Sequence, residues 1–451
     1  MVYESIIIGG GISGLSLAYS LKKQKVNFLL LEKNSEVGGV IHSERINGFQ
    51  IEKGANTVLV RNYETYQLLN ELGLLEKLKL PKPSAKKRYI LKNNTLIPLP
   101  TGLFSSFFHP ILPVHKLIYW AFKDYFAKPI IHDMTVKEFF CQRFGTQFYQ
   151  DLIFPMVSGI FAGNPEQMSF RYNFPKFFEA AKNYGSILKG LRKNSKLAFP
   201  KEARKYFNQM FTFEDGIYTL IQHLESKLTS FIQNNTDVLA IENLNNQWKI
   251  YTSRGEFLAR QIILSVPAYV ASRLLKKIDY ELSNLLEQIK YHPILVLHFT
   301  FPTTAWQNPL DGFGFLKSEK ENTDILGCIF NSRIFSHVAP KGYELLTVMV
   351  GGATQSNLVF SDLQQIITKI QNQLSDILKI HPKPELLSFH KWEKAIPEYG
   401  LNYNELDEKF NQFYRNFSNI QIVSNFWGGI GVPDCIQKGI SYQPQNSYHS
   451  I

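Results

Sequence analysis

Ser5-Ile6-Ile7-Ile8-Gly9-Gly10-Gly11-Ile12-Ser13-Gly14 decides the fold. The apolar run Ser5 to Ile8 reads as a buried strand that passes directly into a GxGxxG turn. Leu15 to Lys23 reads as a helix, and Val26 to Leu31 as a second strand ending on Glu32 and Lys33. Strand, glycine turn, helix, strand and acid in this order make a βαβ unit built to hold a dinucleotide. Gly9 closes the turn, Gly11 lets the backbone approach a pyrophosphate, and Gly14 lets the helix pack on the strand. The helix N-terminus at Ile12 and Ser13 turns amide donors toward the phosphates. Glu32 is placed to accept both ribose hydroxyls, which argues against a 2′-phosphate there. The competing reading is a glycine turn that binds nothing.

The next residues choose between dinucleotides. Gly38-Gly39-Val40-Ile41-His42-Ser43 supplies a second glycine pair, which a nicotinamide-type unit does not need. Near the other end stands Phe426-Trp427-Gly428-Gly429-Ile430-Gly431-Val432-Pro433-Asp434. Together these strings resemble the flavin-containing amine oxidase superfamily, with Gly-Gly-Val where that group usually has Gly-Gly-Arg. The resemblance implies FAD, with Gly39 and Val40 passing along it and Ile430, Gly431 and Val432 meeting the flavin ring. Neither Cys nor His stands where covalent relatives attach the flavin, so noncovalent FAD is expected.

At 451 residues the chain is too long for one simple core. An aromatic content of 14%, with 35 Phe and 22 Tyr, suits a planar ligand or a membrane-facing surface. The bland alternative is the codon bias of an AT-rich genome. The net charge of +11 raises nucleic acid as a partner. The basic residues are scattered, however, and no RRM, zinc-finger or basic-helix pattern occurs, so nucleic acid is set aside. Two loose basic clusters, Lys82 to Arg88 and Lys189 to Lys205, read as solvated faces or as partners for anionic lipid or an anionic substrate. Cys141, Cys328 and Cys435 are widely spaced and read as reduced thiols of a cytosolic protein. The 11 histidines show no metal-ligand spacing, and no metal is expected. The first strand begins close to Met1, so no leader is expected. No apolar run reaches the roughly twenty residues of a spanning helix.

Along the chain, Tyr63 to Leu78 reads as a helix, and Lys87 to Leu91 with Leu96 to Leu99 as a hairpin around Asn93-Asn94. From about 103 to 212 the chain turns helical and aromatic. Leu103 to Ala127, with Phe104, Phe107 and Phe108, is equally readable as core or as a segment dipping into one leaflet. The expectation is an α/β fold: a Rossmann-like cofactor domain (1–85, 213–280 and 388–451), an interleaved antiparallel-sheet substrate domain (86–102 and 281–387), and a helical membrane-binding domain (103–212).

The helical middle carries Phe154-Pro155-Met156-Val157-Ser158-Gly159-Ile160-Phe161-Ala162-Gly163-Asn164-Pro165, then Phe174-Pro175 and Tyr184-Gly185-Ser186. With Gly54-Ala55-Asn56-Thr57, Lys87-Arg88-Tyr89-Ile90, Leu310 to Leu316, Leu326-Gly327 and Met349-Val350-Gly351-Gly352, this order resembles the protoporphyrinogen oxidase family over essentially the whole chain. The resemblance implies oxidation of protoporphyrinogen IX to protoporphyrin IX in haem biosynthesis, with FAD taking hydride and O2 reoxidising it. It places Gly54, Ala55, Asn56, Thr57, Val238 and Trp392 along FAD. It assigns Arg88 to a propionate, the Gly159 carbonyl to pyrrole N–H groups, and Phe313, Leu316, Leu326 and Met349 to the faces of the macrocycle. No side chain is required as acid, base or nucleophile, because the flavin carries the chemistry. A bacterial chain lying peripherally on the inner face of the cell membrane is implied. Hand-over of product to ferrochelatase and a homodimer are compatible with it. Phe104 replaces a basic residue of some eukaryotic members, which leaves the second propionate without an assigned partner.

Three other readings stay open. Coproporphyrinogen III to coproporphyrin III is the same chemistry on a substrate with four propionates. A generic amine oxidase or carotenoid desaturase has no use for the string around Gly159. A flavin-binding membrane adaptor without turnover has no use for an intact pocket.

Overall fold

The computed structural model describes residues 2–100, 109–193, 199–245 and 247–443. Phe104, Phe107, Phe108 and Lys196 lie outside these residues.

Ile6, Ile7 and Ile8 are buried, as a strand covered on both faces must be. Strand Val2–Ile8 lies parallel to Phe28–Leu31 on one side and to Gly255–Leu264 on the other. The sheet runs Val238–Leu244, Gln247–Thr252, Gly255–Leu264, Val2–Ile8, Phe28–Leu31, Ile232–Gln233, and Ile420–Ile422 joins the tip of Gly255–Leu264. Alternate residues feed two cores. Ile7 packs with Leu15, Leu220 and Ile436 of helices Ile12–Lys23, Tyr218–Leu228 and Val432–Ile440. Ile6 and Ile8 pack with Leu274, Leu286 and Phe410 of helices Ala268–Leu275, Tyr280–Glu287 and Tyr403–Asn416.

A second sheet runs Glu385–Pro397, Tyr291–Pro302, Tyr343–Gly351, Ile325–Ile329, Gly314–Lys317, Tyr89–Lys92, Thr95–Pro98. Its ladders are antiparallel except that between Gly314–Lys317 and Tyr89–Lys92. One face carries Leu295, Leu297 and Phe299 against helix Leu363–Leu378. The other carries Ile294, Val296, Met349 and Trp392. The hairpin at Asn93-Asn94 forms with both asparagines at positive φ.

Three local expectations change. The helix from Tyr63 stops at Glu71, because Gly73 turns left-handed, and a short 3₁₀ turn Leu75–Lys77 follows. Strand Glu385–Pro397 pairs with Tyr291–Pro302, so residues 388–397 join the second sheet and not the first. Helix Tyr280–Glu287 buries Leu282, Leu285 and Leu286 in a core of the first sheet, although residues from 281 onward were expected beyond it. For the helix the buried apolar stripe decides the neighbour, and for the strand the long antiparallel ladder with Tyr291–Pro302 does.

Between residues 109 and 193, short helices surround Phe139, Phe140, Phe170 and Phe178, with Phe139 stacked on Phe170 at 3.7 Å. Asp124 is fully buried, pairs with Arg143 at 3.1 Å, and accepts from Ser186 Oγ and the Ile187 and Leu188 amides. It thereby caps helix Ile187–Lys193. Helix Val114–Tyr125 buries Trp120 but leaves Ile118, Tyr119 and Phe122 exposed, with Phe126 just beyond it. Among the described residues no helix is long and apolar enough to cross a membrane.

Candidate functional site

The glycine turn is fixed by what each glycine would otherwise strike. A Cβ on Gly14 would lie 2.1 Å from the Gly9 carbonyl oxygen, and one on Gly9 would lie 2.4 Å from that of Ser265. A Cβ on Gly11 would meet nothing within 4 Å. The turn is therefore tight where helix meets strand and open where a ligand backbone would run. Gly38 donates its N–H to the Gly10 carbonyl at 2.8 Å, and Gly39 stacks on Gly11. Both glycine pairs thus line one groove, at the N-terminus of helix Ile12–Lys23 where Ile12 and Ser13 are buried.

Glu32 is buried, and each carboxylate oxygen already accepts a main-chain amide: Gly10 at 2.7 Å and Asn34 at 2.9 Å. A carboxylate has about four lone-pair sites, so two remain for hydroxyl donors. Lys33 beyond it is exposed. Thr236 donates its amide to the Glu32 carbonyl, which brings Val238 close to this end of the groove. The Val238 carbonyl accepts from Arg273 at 3.0 Å.

The middle of the groove is assembled from distant segments. A Cβ on Gly54 would lie 2.1 Å from the Val40 carbonyl oxygen. Asn56 accepts from Asn331 at 3.2 Å, and its own amide reaches the Gly54 carbonyl. Trp392 donates its indole N–H to the Lys53 carbonyl at 2.7 Å. Gly39-Val40, the Gly54-Ala55-Asn56-Thr57 turn and Trp392 therefore stand side by side. Val40 itself is 46% exposed.

At the far end, Ile430, Gly431 and Val432 lead into helix Val432–Ile440. Gly431 donates its amide to Asp434 Oδ2 at 3.0 Å, and the Gly429 amide reaches the Tyr399 hydroxyl at 3.2 Å. Lys438, which the sequence did not single out, reaches back beneath this turn. Its ammonium donates to the carbonyls of Ser424 (2.7 Å), Trp427 (2.5 Å) and Gly429 (2.8 Å). The available signal was a lysine four residues after Asp434, on the same helix face.

Beside this groove the helical region meets the second sheet. Gly159 lies in the last turn of helix Phe154–Phe161, where carbonyls lack partners within the helix. A Cβ on Gly159 would lie 2.2 Å from Leu316 Cδ2, and one on Gly327 would lie 2.7 Å from the same atom and 3.4 Å from Met349 Cε. Leu326 approaches Gly352, which in turn approaches the Ala162 carbonyl. Gly159, Leu316, Leu326 and Met349 are thus brought together. Leu316 fills the space beside the Gly159 Cα where a side chain would stand. Arg88 is exposed at the rim, its guanidinium 5.3 Å from the centre of the Phe313 ring.

Two acids that the sequence did not mark hold the walls. Glu398 is buried and accepts from the Asn164 amide (2.7 Å) and from His292 (2.9 Å), which anchors the left-handed turn at Ala162 that ends the Gly159 helix. Glu52 is buried beneath the Ser43–Glu52 hairpin and accepts from Ser43 Oγ (2.6 Å), Gln50 (3.0 Å) and the Ile217 amide (3.0 Å). Burial outweighs these three donors and pushes its pKa up to about 7. His298, also buried, is pushed down to about 4 by the same loss of solvent. Among the described residues no cluster of His, Cys, Asp and Glu could hold a metal ion.

The groove fits an extended dinucleotide: an amide-lined helix end, a glycine cradle that a Cβ would narrow, an acid at one end and a second helix N-terminus at the other. The chain is 27% identical over 465 residues to protoporphyrinogen oxidase 2 of Arabidopsis thaliana, covering 96% of this chain and 91% of that one. It is 26% identical over 453 residues to the coproporphyrinogen III oxidase of Bacillus subtilis, covering 96% of each. The crystal structure of a candidate protoporphyrinogen oxidase from Exiguobacterium sp. 255-15 superposes with a TM-score of 0.79 at 25% identity, covering 97% of both chains. The model of flavin containing amine oxidoreductases matches residues 12–441, which runs from the helix that follows the glycine turn to the end of helix Val432–Ile440. The chain belongs to the flavin containing amine oxidoreductase family.

Proposed function

We propose that the protein oxidises protoporphyrinogen IX to protoporphyrin IX with noncovalently held FAD, O2 being the final electron acceptor. The observation that carries this reading is the meeting of Gly159, Leu316, Leu326 and Met349 beside the groove, with Arg88 and Phe313 at its rim. An apolar slot with a cation at its mouth suits a large, flexible apolar ring bearing carboxylates. When bound, the flavin takes hydride from a carbon that bridges two pyrroles.

This chain's residues do the holding. Gly9, Gly10 and Gly14 close the turn, Gly11 and Gly39 leave room for the pyrophosphate, and Ile12 and Ser13 present amides to it. Glu32 takes the ribose and Val238 the adenine. Val40, Gly54 to Thr57 and Trp392 line the middle, and Ile430, Gly431 and Val432 meet the ring. Gly159 accepts pyrrole N–H groups through its end-of-helix carbonyl, and Arg88 grips a propionate while stacked on Phe313. The exposed Ile118, Tyr119, Phe122 and Phe126, beside Lys189 and Lys193, rest on an anionic membrane surface.

Coproporphyrinogen III is the second reading, favoured by the end-to-end match to the Bacillus subtilis enzyme. Turnover of both porphyrinogens by the purified protein, followed by porphyrin fluorescence with O2 present and absent, decides between them. Faster oxidation of coproporphyrinogen III would replace the first reading with the second. No oxidation of either would remove both. Acid precipitation should release all the yellow colour into the supernatant.

A further inference from the structure

We propose that Lys438 is a positioning residue that also sets the reduction potential of the flavin, through a half-buried positive charge beneath the Trp427–Val432 turn. The inference rests on the reading above that Ile430 to Val432 meet the flavin ring.

The geometry identifies the charge state. Lys438 lies near the end of helix Val432–Ile440, and its side chain runs back toward the helix N-terminus, as helical side chains do. A Cβ on Gly428 would lie 3.5 Å from Lys438 Cδ, so the stem passes directly under the turn. The Nζ atom then meets the carbonyls of Ser424, Trp427 and Gly429. Three acceptors use all three N–H bonds of an ammonium, whereas a neutral amine has only two to give. Burial works against the charge and lowers the lysine pKa, while the Asp434 carboxylate works for it. Asp434 also holds the Gly431 amide, so one acid faces both the turn and the lysine.

Two consequences follow. The first is mechanical. Gly428 and Gly429 both take positive φ, and the three carbonyl contacts hold that path and therefore the direction of the amides that follow it. The second is electrostatic. On reduction by substrate a bound flavin would take up two electrons and one proton as hydride and gain negative charge, which the reading above sets against this turn. A fixed cation in a low-dielectric interior stabilises that charge, adding to the dipole of helix Val432–Ile440. Lys438 thus makes the bound flavin a stronger oxidant.

The test separates the two effects and the underlying reading. Flavin content of the wild-type protein is measured first, and a preparation that holds no flavin after reconstitution sinks the flavin reading itself. The midpoint potential of the bound flavin is then measured by spectroelectrochemistry in wild type, Lys438→Gln, Lys438→Met and Lys438→Arg. Gln keeps two donors without the charge, Met keeps neither, and Arg keeps the charge. The expected result is a more negative potential in both neutral variants and a near wild-type value in Arg. FAD dissociation should quicken at least tenfold in Met and less in Gln. Wild-type potentials in flavin-replete Gln and Met variants would overturn the electrostatic role. Unchanged FAD dissociation in Met would overturn the positioning role. Should Lys438→Met fail to fold, the Gln and Arg pair still decides the potential.

Discussion

The glycine groove of the first sheet and the apolar slot proposed beside the second sheet are built in opposite ways. The groove's first half comes from one continuous stretch, residues 5–39, and its shape is set by backbone atoms that a single Cβ would strike. The proposed slot draws on residues 159, 316, 326 and 349 of four elements, and on residues 88 and 313 of connections between elements, and its shape would be set by side chains. Backbone-built sites leave a local mark in sequence. Side-chain-built sites leave only scattered apolar residues.

The sharpest way to break this contrast is at two neighbouring glycines. Gly14→Ala should cost about 3 kcal/mol or more, because the first atom its Cβ would strike, the Gly9 carbonyl oxygen, is backbone. Gly11→Ala should leave the melting temperature of the flavin-free protein within a degree or two, yet weaken FAD binding at least tenfold. Equal losses of thermal stability in the two would show that the groove is not open at Gly11.

A smaller effect is expected where side chains face outward. Phe122→Asp with Phe126→Asp should reduce liposome binding by roughly a hundredfold, from about 3 kcal/mol of lost apolar burial, without changing FAD content. Flotation on anionic vesicles measures it, and equal flotation of variant and wild type would free this face of the membrane assignment.

At the rim of the slot, Arg88→Ala should raise KM for the porphyrinogen and change kcat little. Its contact, remote from the reacting carbon, is nearly equal in ground and transition states. The loss should be about 1.5–3 kcal/mol, roughly ten- to a hundredfold in kcat/KM. Arg88→Lys should recover only part, because an ammonium cannot grip a carboxylate bidentately. An unchanged KM in a flavin-replete variant would make Arg88 a surface charge.

The smallest expected effect tests the seam between hairpin and sheet. Glu52 titrates near 7 in the fold and near 4.5 unfolded. Between those values the folded state binds the extra proton, so stability falls as pH rises from about 4.5 to about 7 and then levels. The contribution is about 1–3 kcal/mol. Denaturant melts at pH 5 and pH 8 should show this loss in wild type and its absence in Glu52→Gln. Parallel losses in the two proteins would place the titration elsewhere.

The βαβ unit, the second glycine pair, the hairpin at Asn93-Asn94 and the two-sheet α/β plan were legible because each rests on a local rule: a turn needing glycine, a left-handed asparagine, a buried strand needing continuous apolar residues. Which sheet owns residues 388–397 was not legible, since a long alternating strand does not name its partner. Nor was the exposure of Ile118, Tyr119 and Phe122, because an apolar stripe reads the same whether it meets core or surface.

By itself, then, the sequence determined a dinucleotide groove, its flavin type and the family. Only the tertiary structure decided that Glu32 already holds two amides, that Leu316 lies on Gly159, and that Lys438, Glu398 and Glu52 support the walls. The physical reason is one of range. A glycine's fitness for a turn depends on its immediate neighbours, whereas a buried charge is tolerated only where partners from distant elements meet it. That meeting exists only once the sheets and helices have packed.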